Sequence, residues 1–202
     1  GGAGLDLNGE NMILGVWDGG KIHPEHPLLE NRVTWMDDPN VAFSDHSQHV
    51  SGTMIGTGDV QAGAAKGMAP EAEILAWDFG GTGSERTGAA ADGMLVSNHS
   101  YGNNIANVPL SAIGVYDGSA RGTDLIAYNA PYYLEIKSAG NDRQSGQNPG
   151  DGGYDYLTDA SCAKNAITVA AVNEVLNYTG PNSVIMSNFS SWGPTDDGRI
   201  KP

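Results

Sequence analysis

The sequence predicts an α/β fold, a mostly parallel sheet covered by helices on both faces. Three observations carry that expectation. Short apolar runs alternate with helix-like stretches, which implies crossover connections between parallel strands. Several of those runs end at polar residues on Gly-rich turns: Asp18, Ser100 and Asn141. Glycine supplies 29 of the 202 residues without a three-residue period, so the chain needs tight turns and close backbone approaches and is not collagen-like.

The elements follow in order. Residues 12–17 (MILGVW) form a continuous apolar run that stops at Asp18-Gly19-Gly20, the pattern of a buried strand bounded by a turn. Residues 50–55 follow a His-rich stretch and are small enough for a packed helix. Residues 73–79 (EILAWDF) read as a strand after the turn Met68-Ala69-Pro70. Residues 87–95 are Ala-rich and predict a helix, weakened by Gly88 and Gly93. Residues 94–98 lead into Ser100-Tyr101-Gly102 as a strand edge. Residues 124–130 predict a short helix that stops before Pro131. Residues 133–139 and 166–172 complete the strands. No repeat and no linker divides the chain, so residues 1–202 read as one domain, or part of one.

Composition excludes several functions. Asp plus Glu is 24 and Lys plus Arg is 10, for a net charge of −14. Such a chain is repelled by phosphate backbones and anionic membranes, so nucleic acid is not an expected partner. The longest apolar stretch, residues 166–172, is too short to span a bilayer, and the first residues lack the basic start and apolar core of a signal peptide. The single cysteine, Cys162, permits no internal disulfide. Beside a strand-like run it reads as a small buried side chain, with nucleophile as the minor alternative.

Four clusters carry polar chemistry, and each also has a plain structural reading. Asp18 could orient a neighbouring base, or simply make an Asp-Gly turn. In Asp45-His46-Ser47-Gln48-His49, two histidines lie three residues apart on one helix face. They suit acid–base catalysis by one histidine with an Asp partner, or metal ligation, although no HExxH pattern is present. Asn141, after an apolar strand, could donate to a developing oxyanion or make a Gly-Asn turn. Ser100-Tyr101-Gly102 could pair with a substrate backbone or be an edge strand.

The order of these clusters resembles the subtilisin-like serine peptidases, the subtilases. VWDGG is similar to the family's Asp motif and HSQHVSGT to H-G-T-H-V-A-G-T. KGMAPEAEIL, SNHSYG, KSAGND, AKNAITVAAV and SNFSSWGPTDDGRIKP resemble further family segments in the family's order. The wording of VWDGG, SNHSYG, YNAPYYL and GRIKP is most similar to secreted or surface members of Bacteroidetes type. The resemblance implies a three-layer subtilisin-like fold and endopeptidase activity. It implies Asp18 as triad aspartate, His46 as triad base, His49 as the second, non-catalytic histidine and Asn141 in the oxyanion hole. Ser100, Tyr101, Gly102, Ala139 and Gly140 are the implied substrate-binding residues. Peptide or protein substrates, a propeptide in the precursor and a secreted or surface location follow from the same likeness.

There are departures. Ser47-Gln48 stands where the family has Gly-Thr, and Gln48 adds bulk there. The segment from Trp77 to Leu95 is short and Gly-rich, so specificity is not carried over. The nucleophile motif, G-T-S-x-A, occurs nowhere in the sequence. Ser190 and Ser191 match a structural segment of the family, and Ser161 has no nucleophile-elbow pattern. The expectation is therefore a catalytic domain incomplete at its C-terminus, ending before its serine and inactive as a 202-residue chain. The alternatives are a non-catalytic peptide-binding scaffold of the same shape and, more remotely, a His46/His49 metal hydrolase. No cofactor is required for the chemistry. Structural Ca²⁺ is implied at family level with ligands unassigned; Asp37-Asp38, residues 151–155 and Asp196-Asp197 are the acidic loops. Gly102 and Gly140 leave room in the expected pocket walls, Tyr101 would line a more distant subsite, and Asp151 or Asp155 would weakly favour basic residues.

Overall fold

In the computed structural model, which describes residues 7–60 and 63–202, the first apolar run is strand β1, Ile13–Asp18. It lies between β3, Glu73–Asp78, and β4, Val96–His99, with β2, Val33–Trp35, beyond β3. All three pairings are parallel, as the alternating pattern predicts. The registers Trp17↔Trp77 and Asp18↔Asp78 align the carboxyl ends of β1 and β3.

Period-2 alternation assigns the two faces of these strands. Leu14 and Val16 of β1 and Ile74 and Ala76 of β3 share a core with Ile22, Leu29, Val33 and Ile55. Ile55 ends helix α1, Asp45–Ile55, whose Val50 and Met54 pack on the same cluster. Trp17 points the other way. Its indole N–H donates to Glu85 Oε2 at 3.1 Å, on helix α2, Thr82–Ala91. The sheet of this part of the chain is thus covered on both faces. Asp18, in phase with Leu14 and Val16, emerges on the face of α1.

Gly15 is required where β1 meets the α2 side. A Cβ there would lie 2.5 Å from Met94 Sδ, 2.8 Å from the Trp17 ring and 2.9 Å from Ser97 Cβ. Gly15→Ala is expected to lower stability by about 1–3 kcal/mol through overpacking. A urea midpoint equal to the parent's would show instead that Met94 yields without cost.

The chain divides into two compact units, Gly1–Ser100 and Tyr101–Pro202. In the second, β5, Leu134–Ser138, pairs in parallel with β6, Ile167–Val169. Helix α3, Gly118–Asn129, contributes Ala120 to a core of small residues, Ala139, Leu157, Cys162, Ala163 and Ala166. Asp124 ties α3 to the loop before β6. Its carboxylate accepts the Tyr116 hydroxyl at 2.7 Å, the Asn165 N–H at 2.7 Å, the Lys164 N–H at 3.0 Å and the Asn165 amide at 3.0 Å.

Several boundaries differ from the sequence expectation. Helix α1 starts at Asp45, before residue 50, because Ser44 caps it by accepting from the Ser47 N–H. Helix α3 starts at Gly118, before residue 124, because Asp117 accepts from the Ala120 N–H. Helix α2 occupies Thr82–Ala91 and not residues 87–95; Met94 and Leu95 already lead into β4. Strand β2 has only three residues and was not anticipated. Strand β6 is shorter than residues 166–172, and β4 ends at His99, so Ser100, Tyr101 and Gly102 lie past the strand.

Candidate active site

The site begins with strand phase and a helix cap. β1 delivers Asp18 at its carboxyl end, buried, with a side chain 3 % exposed. The first turn of α1 delivers His46, whose side chain is 59 % exposed. His46 Nδ1 lies 2.7 Å from Asp18 Oδ1. A carboxylate only accepts, so this contact fixes the proton on Nδ1 and leaves Nε2 free to accept one from a neighbour. The burial of Asp18 and the exposure of His46 place the acceptor nitrogen toward solvent.

Asp18 Oδ1 takes two further donors, the Gly19 N–H at 2.7 Å and the Ser47 hydroxyl at 3.0 Å. Asp18 Oδ2 is buried and has no hydrogen-bond partner among the described residues. All three donors therefore converge on the oxygen that faces the imidazole. Loss of any one leaves a buried charge less compensated.

Of the remaining residues of the His cluster, Gln48 turns its extra bulk to use. Its Oε1 accepts the His23 N–H at 2.9 Å and ties α1 to the loop after β1. His49 is exposed and lines an open groove of ≈ 520 Å³ with His26, Asp45, Gln48 and Thr53. Among the described residues, no group of three His, Cys, Asp or Glu side chains converges to hold a metal ion.

The other candidate residues have their own settings. Ser100 Oγ accepts from the Asn98 amide at 3.0 Å. Lys137 Nζ, on β5, lies 4.3 Å from the centre of the Tyr101 ring, a cation–π contact that holds the ring. Gly102 is exposed. Ala139 is buried, and its N–H donates to Val169 O at 2.9 Å. Gly140, with φ +104°, turns the chain so that Asn141 is exposed just beyond β5. Ser191 secures that turn: its N–H donates to Gly140 O at 2.9 Å, and its hydroxyl accepts the Asp142 N–H at 3.0 Å. A Cβ at position 140 would come 2.9 Å from Ser191 Oγ, so glycine suits the position twice over.

Ser47 and Ser191 were not among the expected site residues. The F-S-S segment marked Ser191 as structural, and its contact with the Gly140–Asp142 turn says what it supports. Ser47 stood out in the sequence only as a departure from the family's glycine, with no role attached to its hydroxyl. Cys162 is buried, and burial pushes its thiol up to about 12, with the nearby Asp117 charge adding to the effect. It is therefore not a nucleophile.

The family model described as the Subtilase family, Peptidase S8, matches residues 9–202. The chain belongs to the subtilase family. Solved structures show the same fold at low identity. The self-cleaved protease domain of PatA has 20 % identity and a TM-score of 0.65, covering 93 % of this chain and 64 % of that one. A cold adapted subtilisin-like serine proteinase has 20 % identity and a TM-score of 0.61, covering 94 % and 62 %. MycP1 with the N-terminal propeptide removed has 18 % identity and a TM-score of 0.58, covering 96 % and 73 %. This subtilase chain therefore spans just under two thirds of the length of the PatA protease domain. The α/β fold expected from the sequence is the family's fold.

Proposed function

We propose that this subtilase chain is the Asp- and His-bearing part of a serine endopeptidase. The observation that supports it best is the 2.7 Å contact between buried Asp18 and exposed His46, reinforced by two more donors on Asp18 Oδ1. An aspartate in that position orients the imidazole and stabilises its protonated form during acyl transfer.

In this reading a serine attacks the carbonyl of a peptide substrate. His46 Nε2 takes the serine proton and returns it to the leaving amine. Asn141 donates to the oxyanion of the tetrahedral intermediate. Ser100, Tyr101 and Gly102, with Ala139 and Gly140, bind the substrate's extended backbone. The serine itself is assigned to polypeptide outside these 202 residues, because the sequence carries no G-T-S-x-A segment. A secreted or surface location and a precursor with a propeptide complete the reading.

Structural calcium belongs to the same proposal and has limited support from the acidic loops. Asp37 Oδ2 accepts the Asp78 N–H, Asp38 Oδ1 accepts from Asn40, and Asp197 is paired with Arg199. Asp155 Oδ1 is buried with no hydrogen-bond partner among the described residues, and Asp155 and Asp196 both approach Gly114. Of the acidic loops, this carboxylate pair is the one a Ca²⁺ ion would draw on, with carbonyl and water oxygens completing its six to eight ligands. No step of the chemistry depends on a metal.

The test pairs two proteins. The full-length protein is expected to cleave a fluorogenic peptide and to be labelled on one serine by a phosphonate diester. The 202-residue chain is expected to do neither, since loss of the nucleophile costs about 10⁶-fold. Labelling of a serine within this chain would refute the assignment.

A further inference from the structure

We propose that Ser47 is a positioning residue for the Asp18–His46 pair, a role that rests on the peptidase reading above and deepens it. Ser47 is 0 % exposed and lies in the first turn of α1, immediately after His46. Its hydroxyl donates to Asp18 Oδ1 at 3.0 Å, the same oxygen that receives His46 Nδ1.

The backbone that carries this hydroxyl is held at three points. The Ser47 N–H is capped by Ser44 Oγ at 3.3 Å. Ser44 N–H in turn donates to Lys21 O at 2.9 Å, in the loop that leaves β1. One helical turn on, buried Ser51 donates its hydroxyl to Ser47 O at 2.9 Å. A ladder of three serines at positions 44, 47 and 51 thus runs along one face of α1, and its middle member meets the carboxylate.

The contact has a mechanical consequence. Asp18 Oδ2 has no hydrogen-bond partner among the described residues, so only the groups on Oδ1 set the plane of the carboxylate. The Gly19 N–H comes from the adjacent residue and moves with the β1 turn. Ser47 is a donor from a different element, the helix that also carries His46. With it in place the carboxylate cannot rotate about its Cβ–Cγ bond without breaking a buried, charge-assisted hydrogen bond. A glycine at this position, as in the H-G-T-H pattern, has no hydroxyl to offer. The chain supplies the restraint through a side chain on the catalytic helix.

The experiment uses the full-length protein and the substitutions Ser47→Ala, Ser47→Cys, Ser47→Thr and His46→Ala. Ser47→Ala is expected to lower kcat about tenfold, the loss of one hydrogen bond to a charged group, with KM nearly unchanged. The far-downfield proton resonance of His46 Nδ1–H should move upfield and broaden as the carboxylate is released. Ser47→Cys keeps the volume with a weak donor and is expected to behave like alanine, so it also serves if the alanine variant fails to fold. Ser47→Thr keeps the hydroxyl and is expected to recover most of kcat and the downfield resonance. Parent-like kcat and an unmoved resonance in the folded alanine or cysteine variant would overturn the role of Ser47. His46→Ala separates the two levels: an inactive His46→Ala beside a parent-like Ser47→Ala removes only this inference, whereas an active His46→Ala removes the peptidase reading as well.

Discussion

Replacing Asp18 by asparagine in the full-length protein is expected, on the proposed peptidase function, to lower kcat by about 10⁴-fold with the fold retained. The reason lies in proton placement. The carboxylate accepts from His46 Nδ1, Gly19 N–H and Ser47 Oγ on one oxygen. An asparagine offers those donors either its neutral carbonyl, which lacks the charge that stabilises the imidazolium, or its amide, which is itself a donor. If the amide faces Nδ1, the imidazole takes the opposite tautomer, with its proton on Nε2, and no longer serves as a base. His46→Ala removes the proposed base itself and should cost about 10⁶-fold. Steady-state kinetics on a peptide substrate, with circular dichroism to confirm folding, reads both. An Asp18→Asn variant within tenfold of the parent would mean that the 2.7 Å contact does not serve catalysis.

Asp124→Ala is expected to cost about 3 kcal/mol of stability, because it orphans the backbone N–H groups of Lys164 and Asn165 and frees the Tyr116 hydroxyl. Asp124→Asn should cost less, since its carbonyl can still accept the Lys164 and Asn165 N–H groups while its amide meets the Tyr116 hydroxyl oxygen. The ionised form is the one these donors hold. Burial alone would raise the Asp124 carboxyl, but hydrogen bonds from Tyr116, Asn165 and Lys164 outweigh it and leave the group below its ordinary value of 3.8. A carboxyl that is more acidic when folded contributes stability that is fully present above the unfolded value and lost as pH falls through the folded one. The parent should therefore lose stability in acid below about pH 4, and Asp124→Asn should lose less over the same range. Urea midpoints at pH 7 and pH 3 test this; equal acid losses in parent and variant would remove Asp124 from the account.

The central strands were legible because the buried stretches of β1 and β3 read as apolar runs, ILGVW and ILAW, each stopped by an aspartate. Asp18 was legible for the same reason: it is the first polar residue after such a run. His46 was legible from its motif. Helix starts were not, because Gly118, Ser119 and Gly122 have poor helix propensity and resemble a loop, while the Asp117 cap and the packing of Ala120 override them. Three-residue β2 carries too short a pattern to show period 2. The role of Ser47 was hidden for a geometric reason. Its importance depends on Asp18 being one strand and one loop away, at a distance no local pattern encodes.

The aromatic stack beside the site has an optical consequence. Trp17 and Trp77 lie face to face, 4.2 Å apart and 2° from parallel, with His99 stacked on Trp17 at 5.2 Å. Two indoles held so rigidly behave as coupled chromophores, and their near-ultraviolet dichroism depends on the register that pairs them. A slip of β1 against β3 by one residue would send the two rings to opposite faces of the sheet and abolish the coupling. Because that pair sits one step before Asp18 and Asp78 in the ladder, the protein carries a built-in spectroscopic gauge of whether the strand that bears Asp18 is correctly seated.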